Sequence, residues 1–163
     1  VKGKKIIVCC AILIWLLLIC GCGGGSGGST SITHPAESVA RPNIQTITVY
    51  FILGEEITPV QRKVESASAK EALLALLEGP NSEEKDRGFT TSIPEGTSLL
   101  SYKVGNGVAT ADFSREILSY GGGSARVQAI LGQIEKTILA NEKNAEKVEV
   151  LVNKVPADEA LQP

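Results

Sequence analysis

The sequence predicts an α+β fold: a small, mainly antiparallel sheet with two helices packed on one face, placed after a signal peptide and a flexible tether. Three observations carry this. Segments with strand-like and helix-like hydrophobic periods follow in the order strand, helix, hairpin, helix, strand. Asn106 and Gly107 stand between two alternating runs, a strong short-range hairpin signal. Each helix is apolar along a single stripe, which suits a sheet covered on one face only.

The chain begins outside that fold. Lys2, Lys4 and Lys5 precede an apolar run over residues 6–20, and Ile19, Cys20, Gly21 and Cys22 lead into a glycine and serine tract. A basic start, a short apolar stretch and a small residue before the cut describe a secretory signal, and the run is shorter than the roughly 20 residues a spanning helix needs. The ending resembles the lipobox of bacterial lipoproteins, with Cys22 as the acylated residue. Residues 1–21 are therefore expected to be a lipoprotein signal peptide, the alternative being an uncleaved signal anchor with Cys22 as an ordinary thiol. Two or three acyl chains on Cys22 would anchor the protein firmly, since each buried CH₂ contributes about 0.8 kcal/mol. The expected address is the extracytoplasmic face of the cell membrane. Residues 22–41 hold almost no apolar side chain and read as a tether, with an end-to-end distance on the order of 25 Å.

Removing the signal also changes the balance of charge. The whole chain has 16 basic and 18 acidic residues, and loss of the three N-terminal lysines leaves a net charge near −5. No basic tract remains, so nucleic acid is not an expected partner. Cys9, Cys10 and Cys20 leave with the signal and Cys22 is blocked by lipid, which excludes a disulfide scaffold and a cysteine metal site.

The folded part is expected over residues 42–153. Ile47, Val49, Phe51 and Leu53 alternate as a strand, and Thr58 to Val64 reads as a short extended return. Ser68 to Glu71 form a capping box ahead of a helix whose apolar face is Ala69, Ala72, Leu73, Leu76 and Leu77, stopped by Gly79 and Pro80. Residues 81–97 read as a polar loop with a turn at 93–96. Leu100, Tyr102 and Val104, then Val108, Ala109, Ala111 and Phe113, give the hairpin. Ser124 is a plausible cap for a second helix with Val127, Ile130, Leu131, Ile134 and Ile138 on its apolar face, and Val148, Val150 and Val152 mark the last strand. Residues 154–163 read as a polar tail.

Few residues have a claim to chemistry. The one histidine, His34, lies in the tether, which argues against Ser-His-Asp and Cys-His catalysis. No nucleophile elbow, P-loop or dinucleotide fingerprint is present, and the glycines at 121–123 are not followed by the lysine of a phosphate loop. Glu55 with Glu56, and Glu83 with Glu84, sit in expected turns and read as solvated. No cofactor, metal site or catalytic residue is expected. Three residues stand out as candidates for binding: Arg62, Asp112 and Arg115. Asp112 has a structural alternative, capping Ser114 or the turn after it.

An ordered set of motifs resembles the GerMN domain of sporulation and germination lipoproteins. It comprises Val49-Tyr50-Phe51, Arg62, the helix from Ala72 to Pro80, Gly88, and Ser92-Ile93-Pro94 with Gly96 and Thr97. Gly107 to Ser114, the helix around Gln133 and Thr137, and Val148 to Val152 complete it. The resemblance implies a small domain like the ring-building modules of spore envelope complexes, engaged in binding or assembly and not in catalysis. Two departures are visible: the family includes tandem copies while this chain has room for one, and Asn153-Lys154 stands where the family tends to have Asp-Gly. The expected function is a non-enzymatic, lipid-anchored envelope module whose partner is an envelope protein or peptidoglycan. Two alternatives are a binding lipoprotein for a small solute or wall fragment, for which three Phe and three Tyr offer few stacking surfaces, and a wall hydrolase using Asp112 and Glu116.

Overall fold

The structure is a computed structural model that describes residues 43–121 and 123–161. The segments read as signal peptide and tether, Cys22 included, lie outside the described residues.

The strand β1 (Gln45–Leu53) pairs antiparallel with β2 (Glu56–Val64) along its whole length, from Gln45 opposite Val64 to Leu53 opposite Glu56. Gly54, at φ 65°, begins the two-residue loop with the positive φ that such a hairpin needs. The short return expected at 58–64 is thus a full-length edge strand. Only Val60 is buried along β2, so its hydrophobic alternation is too weak to read.

Helix α1 (Ala69–Leu77) starts where Ser68 Oγ accepts the Glu71 amide at 3.1 Å and buries Ala69, Ala72, Leu73 and Leu76. The segment expected to be a loop then contains α2 (Ser82–Asp86) and β3 (Phe89–Thr90), the latter pairing with Ile52 and Leu53 of β1. β4 (Leu99–Gly105) and β5 (Val108–Phe113) form the expected hairpin, with Asn106 and Gly107 at φ 52° and 77°. A 3-10 turn at Arg115–Leu118 leads to α3 (Gly123–Asn141), then to β6 (Lys147–Val152), β7 (Val155–Pro156) and α4 (Ala157–Ala160).

The α+β class holds, and α1 and α3 pack on each other and on β1. The strands divide into two sheets, ordered β2-β1-β3 and β4-β5-β6-β7. Each is mainly antiparallel; the exception is β5 beside β6, which run parallel because α3 carries the chain back between them. One core joins Ile47, Val49 and Phe51 of β1 to Leu73 and Leu76 of α1, Ala109, Ala111 and Phe113 of β5, and Ile130, Ile134 and Ile138 of α3. Residues 154–161 do not form a polar tail. They fold back as β7 and α4, and Ala157 and Leu161, at 6% and 3% exposure, close the core.

A row of polar side chains on α3 completes β1. The Thr48 amide donates to Asn141 Oδ1 at 3.0 Å, and Asn141 Nδ2 donates to the Thr48 carbonyl and to Thr137 O. The Tyr50 amide donates to Thr137 Oγ1 at 3.1 Å, and the Tyr50 carbonyl accepts Gln133 Nε2 at 3.0 Å. These bonds turn both main-chain groups of Tyr50 away from β2, so Pro59, opposite Tyr50, costs the ladder no hydrogen bond. Gln133 also fixes the segment after β3, because its Oε1 accepts the Ser92 amide at 2.9 Å while Nε2 reaches Thr91 Oγ1 at 3.3 Å. Gln133 and Thr137 are fully buried.

Gln133→Leu keeps the size and leaves the Tyr50 carbonyl and the Ser92 amide without their partner. It is expected to cost about 2–6 kcal/mol, at about 1–3 kcal/mol for each of the two orphaned groups. A lowered urea midpoint with an unchanged slope is the measurement.

Candidate functional site

Arg62 lies on β2 in a position where every edge of its guanidinium meets a partner. Nε and Nη2 donate to Glu84 Oε1 and Oε2 at 3.0 and 2.5 Å; Nη1 reaches the Ala75 carbonyl at 3.0 Å and Nη2 the Gly79 carbonyl at 2.7 Å. The group also stands 5.0 Å from the Phe51 ring centroid. Ala75 and Gly79 bring carbonyls from the end of α1, which are short of amide donors, to a cation. Glu84 is not the solvated loop residue expected. It is 4% exposed and closes a capping box on α2, accepting the Asn81 amide at 2.8 Å while Asn81 Oδ1 accepts the Glu84 amide at 2.9 Å. Arg62 therefore ties β2, the end of α1 and the start of α2 together.

The Arg62 hydrogen bonds, foremost, and the Asn81 amide hold the Glu84 carboxyl below its ordinary value of 4.5, against a smaller opposing effect of burial. A folded-state value below the unfolded one stabilises the fold above the unfolded pKa, and this contribution is lost as pH falls through the folded value. Glu84→Gln is expected to cost about 3–5 kcal/mol at neutral pH, because it strands a largely buried guanidinium. It is also expected to flatten the loss of stability below pH 4.5. Denaturant melts of both proteins across that range measure the difference.

Asp112, on β5, is 5% exposed and performs a distant structural task in place of the local cap expected at Ser114. Its Oδ1 accepts the Lys154 amide at 3.0 Å, next to a bond from the Asn153 amide to the Phe113 carbonyl at 2.8 Å. Asn153 and Lys154, at φ 50° and 70°, make the two-residue turn between β6 and β7. Ser114 instead bonds to Ser98, through the Ser98 amide to Ser114 Oγ at 3.0 Å and the Ser114 amide to the Ser98 carbonyl at 2.9 Å. Lysine is a poor residue for the left-handed region. Lys154→Gly is expected to raise stability by about 1 kcal/mol, the penalty for a side chain there being roughly 1–2 kcal/mol, less the entropy cost of glycine. An upward shift of the melting temperature tests it.

Arg115 is exposed on the 3-10 turn, at the rim of a cleft of about 270 Å³ formed with Leu118, Val152, Asn153, Val155 and Ala160. Asp112 and Arg115 thus share the neighbourhood of the 153–154 turn. Arg62 lines a different cleft, of about 350 Å³, with Asn81, Glu83 and Arg87 among its walls. The structure does not gather the three candidates into one site. Glu116 is exposed, and a hydrogen bond with Ser114 is the first cause lowering its pKa. Tyr102 is the group pushed up, to about 12, by burial first and then by the Glu142 carboxylate; its hydroxyl meets no acceptor in hydrogen-bonding geometry. Among the described residues, no cluster of three or more His, Cys, Asp or Glu could hold a metal ion, and no helix is long and apolar enough to cross a membrane.

The profile of one protein family, Germane: Sporulation and spore germination, matches residues 48–158, from inside β1 to the start of α4. The chain belongs to the Germane family. No curated protein matches it. Among solved structures it is similar to the tandem GerMN domains of the sporulation protein GerM from Bacillus subtilis, at 25% identity and a TM-score of 0.55, over 68% of this chain and 39% of that one. It also resembles the first GerMN domain of the same protein, at 22% identity and a TM-score of 0.53, over 69% of this chain and 85% of that one. The chain thus spans well under half of the tandem structure and most of the single domain. The Germane match bears out the resemblance read from the motifs.

The structure also gives those motifs their physical sense. Gly79 and Gly88, at φ 77° and 89°, occupy backbone that disfavours side chains, and Thr97 Oγ1 closes the turn on the Pro94 carbonyl at 2.7 Å. In this Germane domain the structural role of Gln133, Thr137 and Asn141 is the least visible in the sequence. The available signal was their spacing of four residues, a polar row beside the apolar stripe of α3.

Proposed function

We propose that the protein is a non-enzymatic module of the cell envelope, held by lipid on Cys22 at the extracytoplasmic face of the membrane, whose Germane domain binds an envelope protein or peptidoglycan during sporulation or germination. The observation that carries the non-catalytic part is the employment of the best candidates. Arg62 gives four of its five N–H donors to Glu84, Ala75 and Gly79, and Asp112 clamps a turn. These side chains hold the domain together, so its surfaces are what it offers to a partner. The family supports the process, and the similarity to a sporulation protein of Bacillus subtilis agrees with it. The lipobox and the tether over 22–41 supply the address.

Cys22→Ser is expected to move the protein from the membrane fraction to the soluble one and to abolish its partition into detergent. Crosslinking the anchored protein in intact cells tests the assembly role. A reproducible crosslinked partner is expected, and repeated recovery of the protein alone counts against it.

A further inference from the structure

Apart from the two-residue outer strands β3 and β7, three strand edges of the described domain have no strand on their outer side: β2, β4 and the first part of β6. The first two carry devices that discourage an added strand. Pro59 lies in β2, and β4 has an irregular register between Leu99 and Ser101 with Lys103 further along. The third edge is different. β7 pairs only with Leu151 and Val152, so Lys147 to Val150 have β5 on one side and no strand on the other.

The direction of the free groups follows from the turn. A two-residue loop at Asn153 and Lys154 makes Val152 and Val155 the hydrogen-bonded pair, with the groups of Val152 facing β7. The Asn153 amide correspondingly faces β5, where it meets the Phe113 carbonyl. Alternation along a strand with unbroken register then turns the amides and carbonyls of Val150 and Val148 outward. Beside this edge runs a cleft of about 400 Å³ between β6, α3 and α4. Leu131, Val148, Val150 and Ala157 give it an apolar floor. Glu135 on α3, Asp158 on α4 and Glu149 on β6 line it with carboxylates, against the single ammonium of Lys147.

We propose that the Lys147–Val150 edge of β6 takes an extended, basic segment of another protein as an added strand, antiparallel to β6 and continuing the line of β7. Main-chain bonds to Val148 and Val150 hold the segment; its lysines or arginines enter the cleft, lay their stems on Leu131 and meet Glu135 and Asp158, while the alternate side chains lie on the opposite face of the sheet. The charge selects this occupant over a second copy of the chain, because pairing two such edges would bring two sets of three carboxylates together with only one ammonium, that of Lys147, from each copy. The inference rests on the assembly reading above and names where and by what chemistry assembly occurs. A partner crosslinked in cells at some other surface would defeat this inference and leave that reading intact.

The test uses the full chain and two end-blocked hexapeptides, one alternating valine with lysine and one alternating valine with glutamate. The lysine peptide is expected to slow hydrogen exchange at the Val148 and Val150 amides and to bind at least about tenfold more tightly than the glutamate peptide. Combined Glu135→Lys and Asp158→Lys substitutions, both at exposed positions, should reverse that preference. N-methylation of alternate amides in the lysine peptide should lower affinity by about tenfold or more, since it removes the strand bonds and keeps the charges. Val150→Pro should do the same from the protein side, with an unchanged circular dichroism spectrum as the control for folding. Four results overturn the proposal: no binding of either peptide at millimolar concentration, equal affinity for both, binding without protection of these two amides, or their protection by higher protein concentration alone, which would identify the occupant as a second copy.

Discussion

The fold depends on how β1 is completed. A strand in the interior of a domain has two edges of amides and carbonyls to satisfy, and here one edge is met by β2 while much of the other is met by side chains. Gln133, Thr137 and Asn141 supply donors and acceptors from a helix where a neighbouring strand would ordinarily do so. This substitution lets α3 lie directly against β1, and the same helix places Ile130, Ile134 and Ile138 in the core shared with β5. One face of one helix thus unites two sheets that share no strand.

Arg62 serves a comparable purpose at the other helix. The end of α1 presents carbonyls with no helical amide to receive them, and α2 begins a few residues later with amides in the same condition. A guanidinium with Glu84 as its counter-ion answers both needs, since Arg62 takes the carbonyls and Glu84 caps the amide of Asn81. Asp112 does this on a smaller scale for the Asn153-Lys154 turn. The charged interior of the domain is therefore a set of connections between elements.

Much of this architecture was legible in the sequence. β1, α1, the β4–β5 hairpin and α3 each have a strong local signal, whether alternation, a capping serine, Asn-Gly or an apolar stripe. β2 escaped recognition as a long strand because its pairing needs little burial, with Val60 alone in the core. α2 was hidden because its cap and its acidic residues look like an exposed loop until Arg62 is seen opposite Glu84. The parallel sense of β6 is a property of the crossover, not of its valines, and Ala157 and Leu161 are too isolated among polar residues to announce a buried segment. The candidate residues were found by type, but type cannot distinguish an arginine that binds a partner from one that binds a helix end. That distinction lies in the backbone carbonyls of Ala75 and Gly79, which no pattern of side chains displays.

The bonds that complete β1 join positions 83, 87 and 93 residues apart. The first strand made is thus completed by one of the last helices, and no N-terminal fragment contains the groups that β1 needs. Closing loops of that length is entropically demanding and makes acquisition of the native topology slow relative to helical bundles. It also means that the α3 side of β1 receives its partners only once the chain through residue 141 is present. A fragment that stops short of residue 141 therefore leaves the main-chain groups of Thr48 without their Asn141 partners.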